Sequence, residues 1–194
     1  MRGKRIHDKL VEAAGELFQD FGYASVSIRN IVAKAGVPKG TFYSYFTSKE
    51  ALASLVAEQQ LQAVLTTLPV ESSVEFIGSL KEHFVAINRP TQGQAVSPMR
   101  LLATFAAEAP ALPSVTKKQV AAGFATWSSQ LGNLIFKAQM DGQIREGQDP
   151  HALADFLINA CQGAIIRAKC DRTTESLRAF AQFAPENLLA KRDG

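Results

Sequence analysis

Cysteine is scarce in this 194-residue chain: Cys161 and Cys170 are the only two, too few for a disulfide framework. If both lie on one helix, nine residues turn it through about 900°, so they face opposite sides about 13 Å apart and cannot bridge within it. No Cys/His grouping has zinc-ligand spacing, and His7, His83 and His151 belong to no recognisable nucleophile or metal motif. A glycine-rich phosphate cradle is also missing. These gaps leave an all-helical enzyme only as a distant alternative, and no cofactor or metal is expected. No uninterrupted run of about eighteen apolar residues occurs, so no membrane span is expected. The basic start Met1-Arg2-Gly3-Lys4-Arg5 leads into Asp8, Lys9 and Glu12 rather than an apolar signal core, which makes a cytoplasmic protein the expectation. Strand-like alternation and internal repeats are absent too.

Helical periodicity fills the chain instead, and 46% hydrophobic residues suffice for one large or two small cores. The net charge is only +3, but its placement is informative. Residues 1–55 hold eight Lys/Arg against five acids, while residues 56–194 hold thirteen of each. The whole positive excess sits on the N-terminal segment, as a phosphate-facing module requires.

That segment has a clear organisation. Ile6, Leu10, Ala13, Ala14, Leu17, Phe18 and Phe21 recur at three and four residues, predicting helix 1 from about Lys4 to Phe21, stopped by Gly22. Ser27 is placed to cap a short helix through Ala33. Gly36 supplies a sharp turn, and Pro38 suits the start of a third short helix. Phe42 and Phe46, four apart, can anchor that helix inward, leaving Lys39, Gly40, Thr41, Tyr43 and Ser44 to face outward. Two short helices around a tight glycine-containing turn make a helix-turn-helix. Thr47 or Ser48 then caps helix 4, which runs to Pro69. At about twenty residues it spans about 30 Å and forms a natural mechanical link.

The run from Ile6 to Leu52 carries Ala14, Leu17, Phe18, Phe21-Gly22, Ser27, Ile31, Ala35-Gly36-Val37, Gly40, Tyr43, Tyr45-Phe46 and Ser48-Lys49-Glu50-Ala51-Leu52. This run resembles the N-terminal DNA-binding domain of the tetracycline-repressor family of bacterial regulators, over about a quarter of the chain. The resemblance implies an all-α fold of about nine helices. A helix-turn-helix domain over 1–47 would precede an effector-binding and dimerisation domain over 48–194, linked by helix 4 at about 48–68. It also implies a ligand-responsive regulator, acting on double-stranded operator DNA and switched by a small molecule. Within it, Ser27, Lys39, Tyr43, Tyr45 and Lys49 are expected on phosphates. Arg29, Pro38, Lys39, Gly40, Thr41 and Ser44 are expected at base edges.

Beyond Pro69, helices are predicted over about 72–89, 97–108, 114–140, 149–169 and 174–189. The last two carry apolar residues on more than one face: Ala152, Leu153, Phe156, Leu157, Ala160, Gly163, Ala164, Ile165 and Ile166, then Leu177, Phe180, Ala181 and Phe183. One face can meet the monomer and another its own copy, so a homodimer is expected. The central helices mix aromatics with polar groups. Phe84, Met99, Leu102, Phe105, Phe124, Trp127, Leu131 and Phe136 are candidates to line an effector cavity. Ser128, Asn133, Asn159, Gln162 and Arg100 are candidates to orient the ligand, which such a lining expects to be largely hydrophobic. Aromatics at this spacing are equally the makings of plain core. Sensing of electrophiles or oxidants through cysteine, with the same DNA-binding head, is the alternative; Arg167, Lys169 and Arg172 near Cys170 could lower its pKa.

Overall fold

A computed structural model describes residues 2–70, 75–90 and 95–191, with side chains from residue 5 onward. Among these residues there are nine helices and no strand: α1 (Arg2–Ser25), α2 (Ile28–Ala35), α3 (Lys39–Phe42), α4 (Lys49–Thr66), α5 (Phe76–Ala86), α6 (Pro98–Ala107), α7 (Ser114–Met140), α8 (Pro150–Asp171) and α9 (Glu175–Leu189). The order and number match the helical periodicity. The expected start of the fifth helix, with Val74, and most of the expected break at 89–94 lie outside the described residues, as do the side chains of Arg2 and Lys4.

The chain forms two compact units, Met1–Ala63 with Arg89–Gly123, and Val64–Asn88 with Phe124–Gly194. The division differs from a cut at residue 47, because the first part of α4 and all of α6 belong with the helix-turn-helix.

In the first unit, α1 packs on α2 and α6, and α2 packs on α3. Its buried line on α1 runs Leu10, Ala14, Phe18 and Gly22 in steps of four. That register leaves Leu17 half-buried and Phe21 on the flank, 63% exposed, contrary to its expected core position. Gly22, at φ 80 and ψ 165, breaks the helical path where a stop was predicted. Tyr23 and Val26, just beyond it, are buried.

In the second unit, α8 packs on α9, and α9 on α5. Asp149 caps α8 by accepting from the His151 and Ala152 amides, ahead of Pro150 in the first turn. Phe180 on α9 meets Phe84 on α5 edge to face, centroids 4.9 Å apart. Lys81 pairs with Glu186 across the same two helices.

Candidate nucleic-acid interface

The head is built by local rules. Ser27 Oγ accepts the Asn30 amide at 3.2 Å and Asn30 Oδ1 accepts the Ser27 amide at 2.9 Å, a reciprocal box that fixes the start of α2. Gly36 ends α2 in the left-handed region at φ 67. The Gly36 amide there reaches Ala33 O and the Val37 amide reaches Val32 O. Pro38 then stands as the N-cap of α3, one position before the expected first turn. Past Phe42 the chain keeps turning, with the Tyr45 and Phe46 amides both donating to Phe42 O.

Two anchors hold this segment. Phe42 is fully buried and Phe46 nearly so, with ring centroids 5.7 Å apart, and His7 of α1 stacks on Phe46 at 5.2 Å. Lys34 of α2 pairs with Glu16 of α1 at 2.7 Å. With Phe42 turned in, Pro38, Lys39, Gly40, Tyr43 and Ser44 face solvent, and so does Arg29 on α2. Tyr43 is 56% exposed, its ring edge-on to Phe42. Thr41 and Tyr45 are half-buried at the margin. Ser27 is exposed, but its hydroxyl is engaged in the cap.

Lys49, expected on a phosphate, is engaged within the fold in the absence of DNA. Its Nζ donates to Tyr23 O at 2.9 Å and Val26 O at 2.8 Å, and it stands 3.9 Å from the centre of the Tyr23 ring. Both carbonyls lie just past the break in α1, where an ammonium at the start of α4 can donate to them. Burial lowers its pKa, while the nearby Glu108 and Glu50 carboxylates act in the opposite direction. Helix α4 itself starts as predicted at Ser48, whose hydroxyl accepts the Ala51 amide at 3.1 Å.

Two residues that periodicity did not single out also act on α1. Gln19, buried, accepts the Ser97 amide at the head of α6 with its Oε1 at 2.7 Å. Glu108, the C-cap residue of α6, accepts the Ala24 amide at 3.2 Å. The only sequence signals were a polar residue on the inward side of α1 and an acid after an apolar helix.

The candidate effector residues divide between the units. Met99, Leu102 and Phe105 are fully buried in the first, where Phe105 packs on Phe18 at 5.7 Å; there they build the core beneath α1. Phe84, Phe124, Trp127, Ser128 and Leu131 belong to the second. Trp127 lies 6.3 Å from both Phe84 and Phe124 and donates its indole N–H to His83 Nε2 at 3.1 Å. Ser128 is half-buried and bonded to Asp155. Phe136, expected to line a cavity, is 54% exposed, and Asn133 and Asn159 also face solvent.

Cys161 is buried beside the Asn88 amide and its thiol is pushed up to about 12 by burial; Cys170 is exposed. Arg167, one of the expected activators of Cys170, pairs with Asp171. Among the described residues, no group of His, Cys, Asp and Glu could hold a metal ion, and no helix is long and apolar enough to cross a membrane.

This arrangement has many relatives. Residues 10–56 match the model of bacterial regulatory proteins of the tetR family, and residues 101–184 match that of the tetracyclin repressor-like C-terminal domain. The chain is 34% identical over 187 residues to the HTH-type transcriptional repressor DhaR of Mycobacterium sp. (strain GP1), covering 95% of this chain and 92% of that one. It is 29% identical over 191 residues to the transcriptional regulator AcuR of Cereibacter sphaeroides, covering 95% and 86%. A crystal structure of a regulatory TetR protein from Rhodobacter sphaeroides superposes with a TM-score of 0.79 at 26% identity, over 93% of this chain and 97% of that one. An anchored, solvent-facing α3 within full-length similarity of this degree has one reading: the chain belongs to the TetR family of DNA-binding transcriptional regulators.

Proposed function

We propose that the protein is a repressor that binds a palindromic operator as a homodimer and is released by a small, largely hydrophobic effector. The observation that carries the DNA half of this reading is the exposed row Lys39, Gly40, Tyr43 and Ser44 on an element pinned by the buried Phe42. In the bound state Ser27, Lys39, Tyr43 and Tyr45 meet phosphates. Arg29, Pro38, Lys39, Gly40, Thr41 and Ser44 meet base edges in the major groove. Lys49 holds the base of the head rather than touching DNA. The similarity to DhaR, a transcriptional repressor, supports the sign of regulation.

Effector binding is assigned to the region after residue 48, with Phe84, Phe124, Trp127, Ser128 and Leu131 of the second unit receiving the ligand. Met99, Leu102 and Phe105 are left to the core of the first. An effector acts only through unequal affinity for the two states, so a tight ligand without preference releases nothing. Burial pushes the Cys161 thiol up to about 12, so the alternative reading, cysteine-based sensing through the same head, would fall to the exposed Cys170.

The test is selection of random duplex DNA on the protein, followed by titration of the recovered site at several salt concentrations. A palindrome bound far more tightly than random duplex is expected. Lys39→Ala should weaken it and lower the slope of log K against log [salt] by about 1, the mark of one lost phosphate contact. Wild-type affinity and slope in Lys39→Ala would remove this placement of α3.

A further inference from the structure

We infer that Glu108, at the end of α6 and outside the DNA-reading surface, is a positioning residue that sets the affinity of the head for its operator. Three observations within the first unit lead there. Gly22, at φ 80 and ψ 165, turns α1 out of its helical path just before the Tyr23–Val26 segment that leads into α2. Two side chains from different elements bond to its backbone. Lys49, at the start of α4, donates to the Tyr23 and Val26 carbonyls, and Glu108 accepts the Ala24 amide at 3.2 Å. The close approach of Glu108 depends on the glycine: a Cβ at Gly22 would stand 1.8 Å from Glu108 Oε1.

The second contact between α6 and α1 fixes the other end of the arrangement. Gln19 Oε1 accepts the Ser97 amide at 2.7 Å, and Thr104 Oγ1 lies 3.3 Å from Gln19 O. Helix α6 is thereby tied to α1 near its start, its middle and its end. Of these ties, the one at Glu108 reaches beyond the break, onto the segment whose direction becomes that of α2 and α3. The reading surface follows that segment in the chain and is also held by packing on α1 and by the Lys34–Glu16 pair. A small rotation there moves Lys39 and Tyr43 away from their groove positions, and misplacement lowers affinity without removing any contact group.

The experiment compares Glu108→Ala, Glu108→Asp and Glu108→Gln for binding to the duplex recovered by selection on the wild-type protein, with the active fraction of each measured by stoichiometric titration. The glutamine keeps an acceptor at full reach, the aspartate keeps the charge but withdraws it by one methylene, and the alanine has neither. Expected are losses of about tenfold for Glu108→Ala and a clear loss for Glu108→Asp, with Glu108→Gln within about twofold of wild type and salt slopes unchanged throughout. A carboxylate that merely repels phosphate predicts the opposite sign, tighter binding on its removal. The inference is overturned by unchanged or tighter binding of Glu108→Ala, by a deficit that lies wholly in the active fraction, or by Glu108→Gln as weak as Glu108→Ala. Should Glu108→Ala fail to fold, equal affinities of Glu108→Asp and Glu108→Gln would overturn it as well.

Discussion

Single residues carry protonation states that the fold has already decided, and His83 is the clearest. The Trp127 indole can only donate, so His83 Nε2 must accept, and the ring proton lies on Nδ1 facing Thr67 Oγ1 at 2.9 Å. Thr67 in turn donates to Val64 O at 2.9 Å, in the last turn of α4. A second ring proton would set one donor against another in a buried site. Burial accordingly lowers the His83 pKa from 6.5 to about 4. The unfolded chain, with an ordinary histidine, takes up a proton below pH 6.5 that the folded one refuses. Its contribution is therefore complete above that pH and is lost as pH falls toward 4, up to about 3 kcal/mol in all. Urea unfolding at fixed protein concentration should show the wild type losing about 2 kcal/mol more than His83→Gln between pH 7 and pH 5. Parallel pH profiles would mean that His83 is protonated in the folded protein.

Elements show which features the sequence made legible. Helix α3 is four residues long, too short for any periodicity, yet it was found from its punctuation: Gly36 for the turn, Pro38 for the start, and the Phe42 and Phe46 anchors. The turn can be tested on its own terms, because a Cβ at Gly36 would meet nothing within 4 Å. Only the left-handed backbone opposes Gly36→Ala, which should lower unfolding stability by about 1 to 2 kcal/mol, with Gly36→Asn costing less. Equal stability of the two variants in denaturant titrations would place the constraint elsewhere. Periodicity and caps likewise gave α4, α7, α8 and α9 nearly to the residue. They failed where partners are distant in sequence. Phe21 fits the three-and-four spacing of α1 but lies on its flank; Lys49 sits among polar neighbours but points inward. Glu108 meets a backbone amide 84 residues away. Local rules know nothing of a backbone amide or carbonyl that another element presents, and such groups decide the roles of all but the first. The eight candidate effector residues likewise divide between the two units, Met99, Leu102 and Phe105 in the first and the other five in the second, a division that side-chain chemistry alone does not reveal.

At the scale of the whole molecule, the proposed dimer must come from a surface that the monomer leaves open. On α8 the line Leu153, Leu157, Cys161 and Ile165 is buried, so that face belongs to the fold of the second unit. Another face of the same helix carries Phe156, Gly163 and Cys170 at intervals of seven, all exposed, with Ile166 alongside. Phe156 and Ile166 are 57% and 54% exposed, and Phe183 on α9, which packs on α8, is 56% exposed. Large apolar side chains gathered on two packed helices mark a surface that another protein covers, and a two-fold axis lets this chain supply that partner. The glycine and the small Ala152 on α8 would allow two copies of the helix to approach closely. A short recognition helix reads few base pairs, so joining two heads raises affinity for a palindrome mainly by making the second contact intramolecular. Phe156→Asp puts a charge on the open face and leaves the buried line of α8 untouched. Sedimentation at micromolar concentration should find it monomeric, with unchanged helical content. Its affinity for the selected palindrome should fall by about a hundredfold or more, while binding to an isolated half-site stays as it was. If Phe156→Asp remains a dimer and Phe183→Asp does too, the two-fold contact is made by some other surface and the apolar face of α8 and α9 needs a different occupant.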